Sequence, residues 1–405
     1  MKRFVTTIAA FLTIVAGCAP TYETEEEIVQ ENEEQQNETA IVPKVNISDD
    51  YYRVILPYKQ GKGEGVIYEP SAARGVIVNQ MANRFDIDEI ETGLQRHATT
   101  YFSTNQYYFQ EGQYLSANVI YDWLGRSMSD KQAEEYIKKN QNVKKENLQI
   151  GLNPPLEDDK DVEAYREAPR YLSHILEHNY LSRTDENKVV LGGLSIALAL
   201  KSSYRFQLEA GPDYYYEPIG TDEMVREGKQ MAQTILERVR NMQSLQDIPV
   251  MIALYREQSH SSLVPGNFVA KTYVSAGDMT IDEWETVNEK YVLFPSKTAE
   301  REHYEDAVNV EDFKREVTKY FPNYIGVIGK GFYIDDELRQ LKINIPIEFQ
   351  GKAEVVGFTQ YAYGLLVDIF PNYYDIEVTI ESTEKQEALI TRDAGEDEPF
   401  VYIYQ

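Results

Sequence analysis

Cys18 carries the most explicit chemistry in the chain. It is the only Cys among 405 residues, and it closes the run Val15-Ala16-Gly17-Cys18. An aliphatic residue, two small residues and a thiol in that order make a lipobox. The small residues fit a tight peptidase site, and the thiol is the one group there that can take a thioether-linked diacylglycerol. Lys2 and Arg3 precede an uncharged stretch from Phe4 to Gly17. Its roughly fourteen residues are too few to span a bilayer core of ~30 Å, but they suit the apolar centre of a secretory signal. Residues 1–17 are therefore expected to be a signal peptide, cut between Gly17 and Cys18 by lipoprotein-processing enzymes. The mature chain would then sit on the extracellular face of the membrane, held by a diacylglyceryl anchor on Cys18. A lone Cys also excludes an internal disulfide and any Cys-based zinc site.

A second constellation is His174-Ile175-Leu176-Glu177-His178. On a helix, H-x-x-E-H sets two imidazoles one turn apart to hold zinc, with the Glu activating water. Pro169 could sit in the first turn of such a helix. No downstream motif supplies a third ligand, and two His on the flank of an amphipathic helix also arise by chance. Gly193-Leu194-Ser195-Ile196-Ala197 resembles a nucleophile elbow, yet the alternation through Ala197 and Ala199 places Ser195 within a strand rather than at a turn. Gly61-Lys62-Gly63 and Gly329-Lys330-Gly331 read as turns and lack the spacing of a phosphate loop. Asp158, Asp159 and Asp161 lack the EF-hand register and read as a solvated loop. Of the aromatic clusters, Tyr214-Tyr215-Tyr216 is the most loop-like, flanked by Gly211-Pro212-Asp213 and Glu217-Pro218. Tyr in such a setting gives rigid amphipathic contact area for a peptide or a glycan.

The elements that must position these residues read as α+β. Acids outnumber bases 67 to 40, for a net charge of -27, which argues against nucleic acid as a partner. Residues 18–50 are acidic and low in complexity, and are expected to be a disordered tether. Residues 51–160 form an N-terminal α+β region. Arg53-Val54-Ile55-Leu56 and Gly65-Val66-Ile67-Tyr68 read as strands, Asp86 to Tyr101 as a helix, and Ser129 to Gln132 as a capping box opening another. Asn153-Pro154-Pro155 reads as an exposed loop and a boundary. Two modules follow, over 161–300 and 301–405. Each runs strand, helix, strand, strand: a strand at Leu194 to Leu200 within Val189 to Leu208, then Asp222 to Met242, Ile248 to Arg256 and Phe268 to Ser275 in the first. In the second they are Leu338 to Phe349, Lys352 to Phe370, Tyr374 to Glu381 and Phe400 to Tyr404.

Whole segments of the chain resemble the CamS family of sex pheromone precursor lipoproteins. They are the lipobox, the acidic tether, Arg170-Tyr171-Leu172-Ser173-His174-Ile175-Leu176-Glu177, Val190-Leu191-Gly192-Gly193-Leu194-Ser195-Ile196-Ala197-Leu198 and Asn323-Tyr324-Ile325-Gly326-Val327-Ile328-Gly329. The resemblance implies a two-repeat α+β body and release of a short apolar peptide from the signal segment, here Phe11-Leu12-Thr13-Ile14-Val15-Ala16-Gly17. A Gram-positive outer leaflet suits the absence of disulfides and the acidic tether. For the mature body the expectation is a non-enzymatic envelope protein without a cofactor, binding a peptide or glycan. The alternative is a zinc-dependent hydrolase using His174, Glu177 and His178.

Overall fold

Backbone pairing shapes the first part of the chain more than side-chain charge does. The computed structural model describes residues 26–32, 35–42, 51–60, 66–68, 70–81, 83–140, 142–184, 188–208, 211–320, 326–349 and 351–405. They fall into two compact units, one of the described residues up to 70 with 104–110 and 181–190, the other of the described residues of 71–103, 111–180 and 191–405. In the first unit β1 (Glu26–Asn32) pairs antiparallel with β2 (Gln35–Val42), with Ile28 opposite Ala40. β2 pairs with β4 (Leu56–Gln60), β4 with β5 (Val66–Tyr68), and β3 (Arg53–Val54) lies parallel to β6 (Tyr107–Glu111). Part of the stretch expected to be a disordered tether is thus strand. Ladder hydrogen bonds use N–H and C=O groups, which a count of Glu residues does not see, and Ile28, Val29, Ile41 and Val42 suit a pleated backbone.

The second unit opens with helices α1 (Val76–Gln80), α2 (Arg84–Ala98), α3 (Ala117–Leu124), α4 (Asp130–Lys139), α5 (Lys145–Leu148) and α6 (Val162–Glu167). The capping box at Ser129 forms as expected: Ser129 Oγ accepts from the Gln132 amide, and Gln132 Oε1 accepts from the Ser129 amide at 3.0 Å. The loop at Asn153 is not the exposed segment its Pro-rich sequence suggested. Asn153 is fully buried, donates to the carbonyls of Leu124 and Leu172, and accepts from the Leu172 amide. It is the polar pin between α3 and the first long strand.

That strand is β7 (Leu172–Arg183), paired with β8 (Lys188–Leu200). The ribbon β9 (Ser203–Gln207) and β10 (Tyr214–Pro218) follows, then α7 (Thr221–Arg240), β11 (Val250–Arg256), β12 (Asn267–Val274) and β13 (Glu285–Thr286). β11 runs parallel to β8 from Leu194 opposite Val250 to Leu200 opposite Arg256, and β12 returns antiparallel. Alternation explains the packing. Leu194, Ile196, Leu198 and Leu200 share a core with Ile252, Leu254 and with Met231, Ile235 and Val239 of α7. Gly228 lets α7 approach, because a Cβ there would lie 2.6 Å from Leu200 Cδ1.

A second sheet is built from β14 (Glu289–Phe294), β15 (Ile328–Ile334), β16 (Glu337–Pro346), β17 (Asp375–Glu381), β18 (Gln386–Arg392) and β19 (Phe400–Ile403), in that order. Helices α8 (Lys297–Glu302) and α9 (Tyr304–Tyr320) precede β15, and α10 (Lys352–Ile369) carries the chain from β16 to its parallel neighbour β17. Phe313 and Val317 of α9 and Phe358, Ala362 and Leu366 of α10 meet Leu341, Ile343, Val378 and Ile380 in one core. In both sheets a helix links two parallel strands and the next strand turns back. Only the first inserts a ribbon before its helix. The architecture is α+β, as expected.

Helix α2 joins the two sheets through buried charge. Arg96 bonds Glu89 at 2.8 Å and Glu289 at 3.2 Å, and its guanidinium lies 4.6 Å from the Phe332 ring. Tyr291 donates to Glu89, and Glu289 also accepts from the Phe268 amide. Burial alone would lower the Arg96 pKa, but the two carboxylates win and raise it. Removing one partner would leave an unpaired buried charge.

Candidate functional site

His174, Glu177 and His178 lie in β7, not in a helix. On a helix the two imidazoles would be about 6 Å apart. On a strand they stand about 13 Å apart along the chain, and the period of two sends Glu177 to the opposite face. Nearly every position from Leu172 to Leu181 is buried. Burial drives both imidazoles to a pKa of about 3, so they are neutral at pH 7. Glu177 has structural work instead. Its carboxylate accepts from the backbone amides of Gln113, Tyr114 and Leu115 at 2.9, 3.1 and 2.6 Å, anchoring the loop that leads into α3. Burial pushes its pKa up, and those amides pull against the rise. A Cβ on Gly112 would fall 2.7 Å from Glu177 Cβ, which accounts for the glycine. Among the described residues no group of three His, Cys, Asp or Glu could hold a metal ion.

Ser195 is mid-strand and fully buried, as the alternation implied. Its Oγ meets Tyr180 Oη at 3.1 Å, and Tyr180 stacks on Phe102 at 4.6 Å between centroids. Gly193 leaves room for that Phe102 ring. Gly329-Lys330-Gly331 is not a turn but part of β15, where its glycines pass the Phe294 ring. The Gly61-Lys62-Gly63 stretch lies outside the described residues. Tyr214, Tyr215 and Tyr216 form strand β10 rather than a loop, opposite Gln207, Phe206 and Arg205. Tyr215 stacks on Phe206, which anchors the ribbon, while Tyr214 and Tyr216 are 52% and 64% exposed on its other face. The guanidinium of Arg205 covers the Tyr214 ring at 4.1 Å.

A concavity lies among the described residues where α8 gives way to α9. It is an open cleft of about 660 Å³ lined by Glu302, His303, Glu305, Asp306, Asp336 and Tyr373, among others. His303 makes the break: its amide closes α8 on the Ala299 carbonyl, and its carbonyl receives the Ala307 amide that starts α9. His303 is 8% exposed and its ring packs on Tyr333 at 3.8 Å, while its buried Nε2 has no hydrogen-bond partner among the described residues. Burial and nearby Lys290 hold its pKa below the usual histidine value, so the ring is neutral at pH 7. Tyr333 donates to Asp306 at 2.7 Å. Across the cleft, Asp335 and Asp336 form the two-residue turn between β15 and β16 with φ of 52° and 64°. That left-handed pair is the turn that matches strand twist, and Asp tolerates it better than most side chains. The turn brings Asp336 to 2.7 Å from Lys290, which holds its carboxyl below the usual range.

The sequence offered two signals for this cleft: the charged and aromatic run Glu302-His303-Tyr304-Glu305-Asp306, and an Asp pair between two strand-like segments. Neither shows that the two meet. Cys18, the lipobox Val15-Ala16-Gly17 and the segment Phe11 to Gly17 lie outside the described residues.

The geometry defines an α+β body with an open acidic cleft, and no helix among the described residues is long and apolar enough to cross a membrane. The chain belongs to the CamS sex pheromone cAM373 precursor family, whose model matches residues 68–398. It is similar to the crystal structure of a sex pheromone precursor from Lactobacillus salivarius subsp. salivarius UCC118, with 27% identity and a TM-score of 0.75 over 88% of this chain and 97% of that one. It is also similar to the C-terminal domain of the sex pheromone staph-cAM373 precursor from Staphylococcus aureus, with 29% identity and a TM-score of 0.69 over 80% of this chain and 98% of that one. None of the curated proteins matches this chain.

Proposed function

We propose that this pheromone precursor is a surface lipoprotein with two products. The leader is cut before Cys18, and Cys18 takes a diacylglyceryl group that holds the body on the outer face of the membrane, in a Gram-positive cell. The leader fragment Phe11-Leu12-Thr13-Ile14-Val15-Ala16-Gly17 is released as a short uncharged peptide, able to partition through a membrane and to fill an apolar receptor pocket. The observation that carries this reading is the sequence Val15-Ala16-Gly17-Cys18 directly after an uncharged run, holding the chain's only thiol. Family membership supports it. The body acts by binding an envelope peptide or glycan, without catalysis and without a cofactor. Its open cleft and the exposed pair Tyr214 and Tyr216 supply contact area for that role. The hydrolase alternative loses its geometric basis with His174, Glu177 and His178 in a strand.

Mass spectrometry of the native protein and spent medium tests the reading. The expected results are an acylated new N-terminus at Cys18 and a peptide ending at Gly17. An intact, unacylated leader on the membrane-associated protein overturns it.

A further inference from the structure

We propose that the cleft beside His303 binds the cationic side chain, Lys or Arg, of a peptide segment, between carboxylates on its walls and the exposed tyrosines Tyr304 and Tyr373 at its rim. This rests on the reading of the body as a binding module and names the ligand class.

Charge is the first reason. The lining includes the carboxyl-bearing residues Glu302, Glu305, Asp306, Asp336 and Glu337 against one Arg, Arg339. Some of that charge is answered internally, with Lys290 serving Asp336 and Glu302, Arg301 also serving Glu302, and Arg339 serving Glu337. Glu305 and Asp306 are in no ion pair among the described residues, so the cleft keeps a negative surplus that repels an anion. His303 is the second reason. The residue lines the cleft and is 8% exposed, and its buried Nε2 has no partner among the described residues, a cost that a donor reaching it from the cleft would relieve. A neutral imidazole can meet a guanidinium or ammonium N–H without adding a repelling charge. The aromatics are the third. Tyr304 is 69% and Tyr373 62% exposed, and exposed rings over a cation are mutually attractive. A metal ion is the poorer candidate, because no three His, Cys, Asp or Glu groups among the described residues converge closely enough to hold one. A volume of about 660 Å³ suits a side chain and the backbone on either side of it.

The test uses the full chain and a labelled Gly-Arg-Arg-Gly peptide, followed by fluorescence anisotropy at about 0.15 M salt so that long-range attraction is screened. Gly-Glu-Glu-Gly and an N-acetylglucosamine oligomer are the comparators. Saturable one-to-one binding of the arginine peptide alone is expected. The double substitution Glu305→Gln and Asp336→Asn should weaken it about tenfold, as expected for lost charge-assisted contacts. Both positions are exposed, and Asn accepts the left-handed backbone at 336. Tyr373→Ala should weaken it about threefold. A matched removal of charge from α7, Asp222→Asn with Glu237→Gln, should leave it unchanged. Equal weakening by the cleft and α7 substitutions, or no binding of the arginine peptide, overturns the proposal. Binding of the glycan in its place, lost with Tyr373→Ala, overturns the cationic ligand while leaving the body a binding module.

Discussion

Asp86 shows how a single buried carboxyl sets pH dependence. It is 1% exposed and accepts from Tyr255 Oη at 2.8 Å, from the Gly266 amide at 2.6 Å and from the Gln258 amide at 3.1 Å. Burial nevertheless dominates those bonds and raises its pKa to about 6 from 3.8. The folded state therefore holds this proton longer than the unfolded chain does. The contribution is full below pH 3.8 and is lost as pH rises through about 6. It amounts to about 3 kcal/mol. Replacing Asp86 by Asn should remove that component, so the stability of the wild type relative to Asp86→Asn should fall by about 2 kcal/mol between pH 4 and pH 6 in urea titrations. A pH-independent difference would contradict the assignment. Glu177 makes the second prediction at this scale. Glu177→Gln puts an amide nitrogen among three amide donors and should cost about 2 kcal/mol in the same assay. The purified wild type should contain no stoichiometric zinc, and a chelator should leave its melting temperature unchanged. Zinc lost on His178→Ala would restore the hydrolase reading.

Among the elements, β8 shows what a glycine in a strand is for. The pair of rings Phe102 and Tyr180 lies against the strand at Gly193, and Tyr180 reaches Ser195 two residues on. Gly193→Ala should therefore cost about 1–3 kcal/mol by overpacking, measured by thermal or urea unfolding. The loss should be partly recovered on a Phe102→Leu background, where the ring is withdrawn. If Gly193→Ala is neutral, the glycine is there for another reason. The helices α4, α7 and α10 and the strands β8, β11, β12, β16 and β17 were legible because each carries a capping signal or a clean period of 3.6 or 2. Residues 172–181 were not. A strand buried on both faces shows no alternation, and so a short apolar run with polar interruptions reads equally well as a helix. The ribbon of β9 and β10 was hidden for a related reason: Gly and Pro on its flanks mark the turns but not the pairing between them. The cleft was half legible. Its residues are conspicuous in the chain, but the meeting of the α8–α9 break with the β15–β16 turn depends on the order of strands in a sheet.

At the scale of the whole molecule, charge bears on the proposed anchor. The chain carries -27, and removal of Lys2 and Arg3 with the leader would leave 38 bases against 67 acids. Such a body is repelled by an anionic surface, so the proposed surface location would need a covalent hold. Cys18→Ser should therefore move the protein from the membrane fraction to the medium or leave it as an uncleaved precursor, as followed by fractionation and immunoblotting. Unchanged membrane fractionation and maturation would contradict the anchor. The acidic character, the α+β class and the family were available from residue order alone, because a charge balance, a hydrophobic period and whole family-like segments are local properties of a chain; the proposed address rests on residue order in the same way. Which His residues could share a ligand, where Tyr214 and Tyr216 point, and which carboxylates gather around His303 were decided by tertiary structure. They depend on strand pairing between residues far apart in sequence, and local spacing carries no information about that distance.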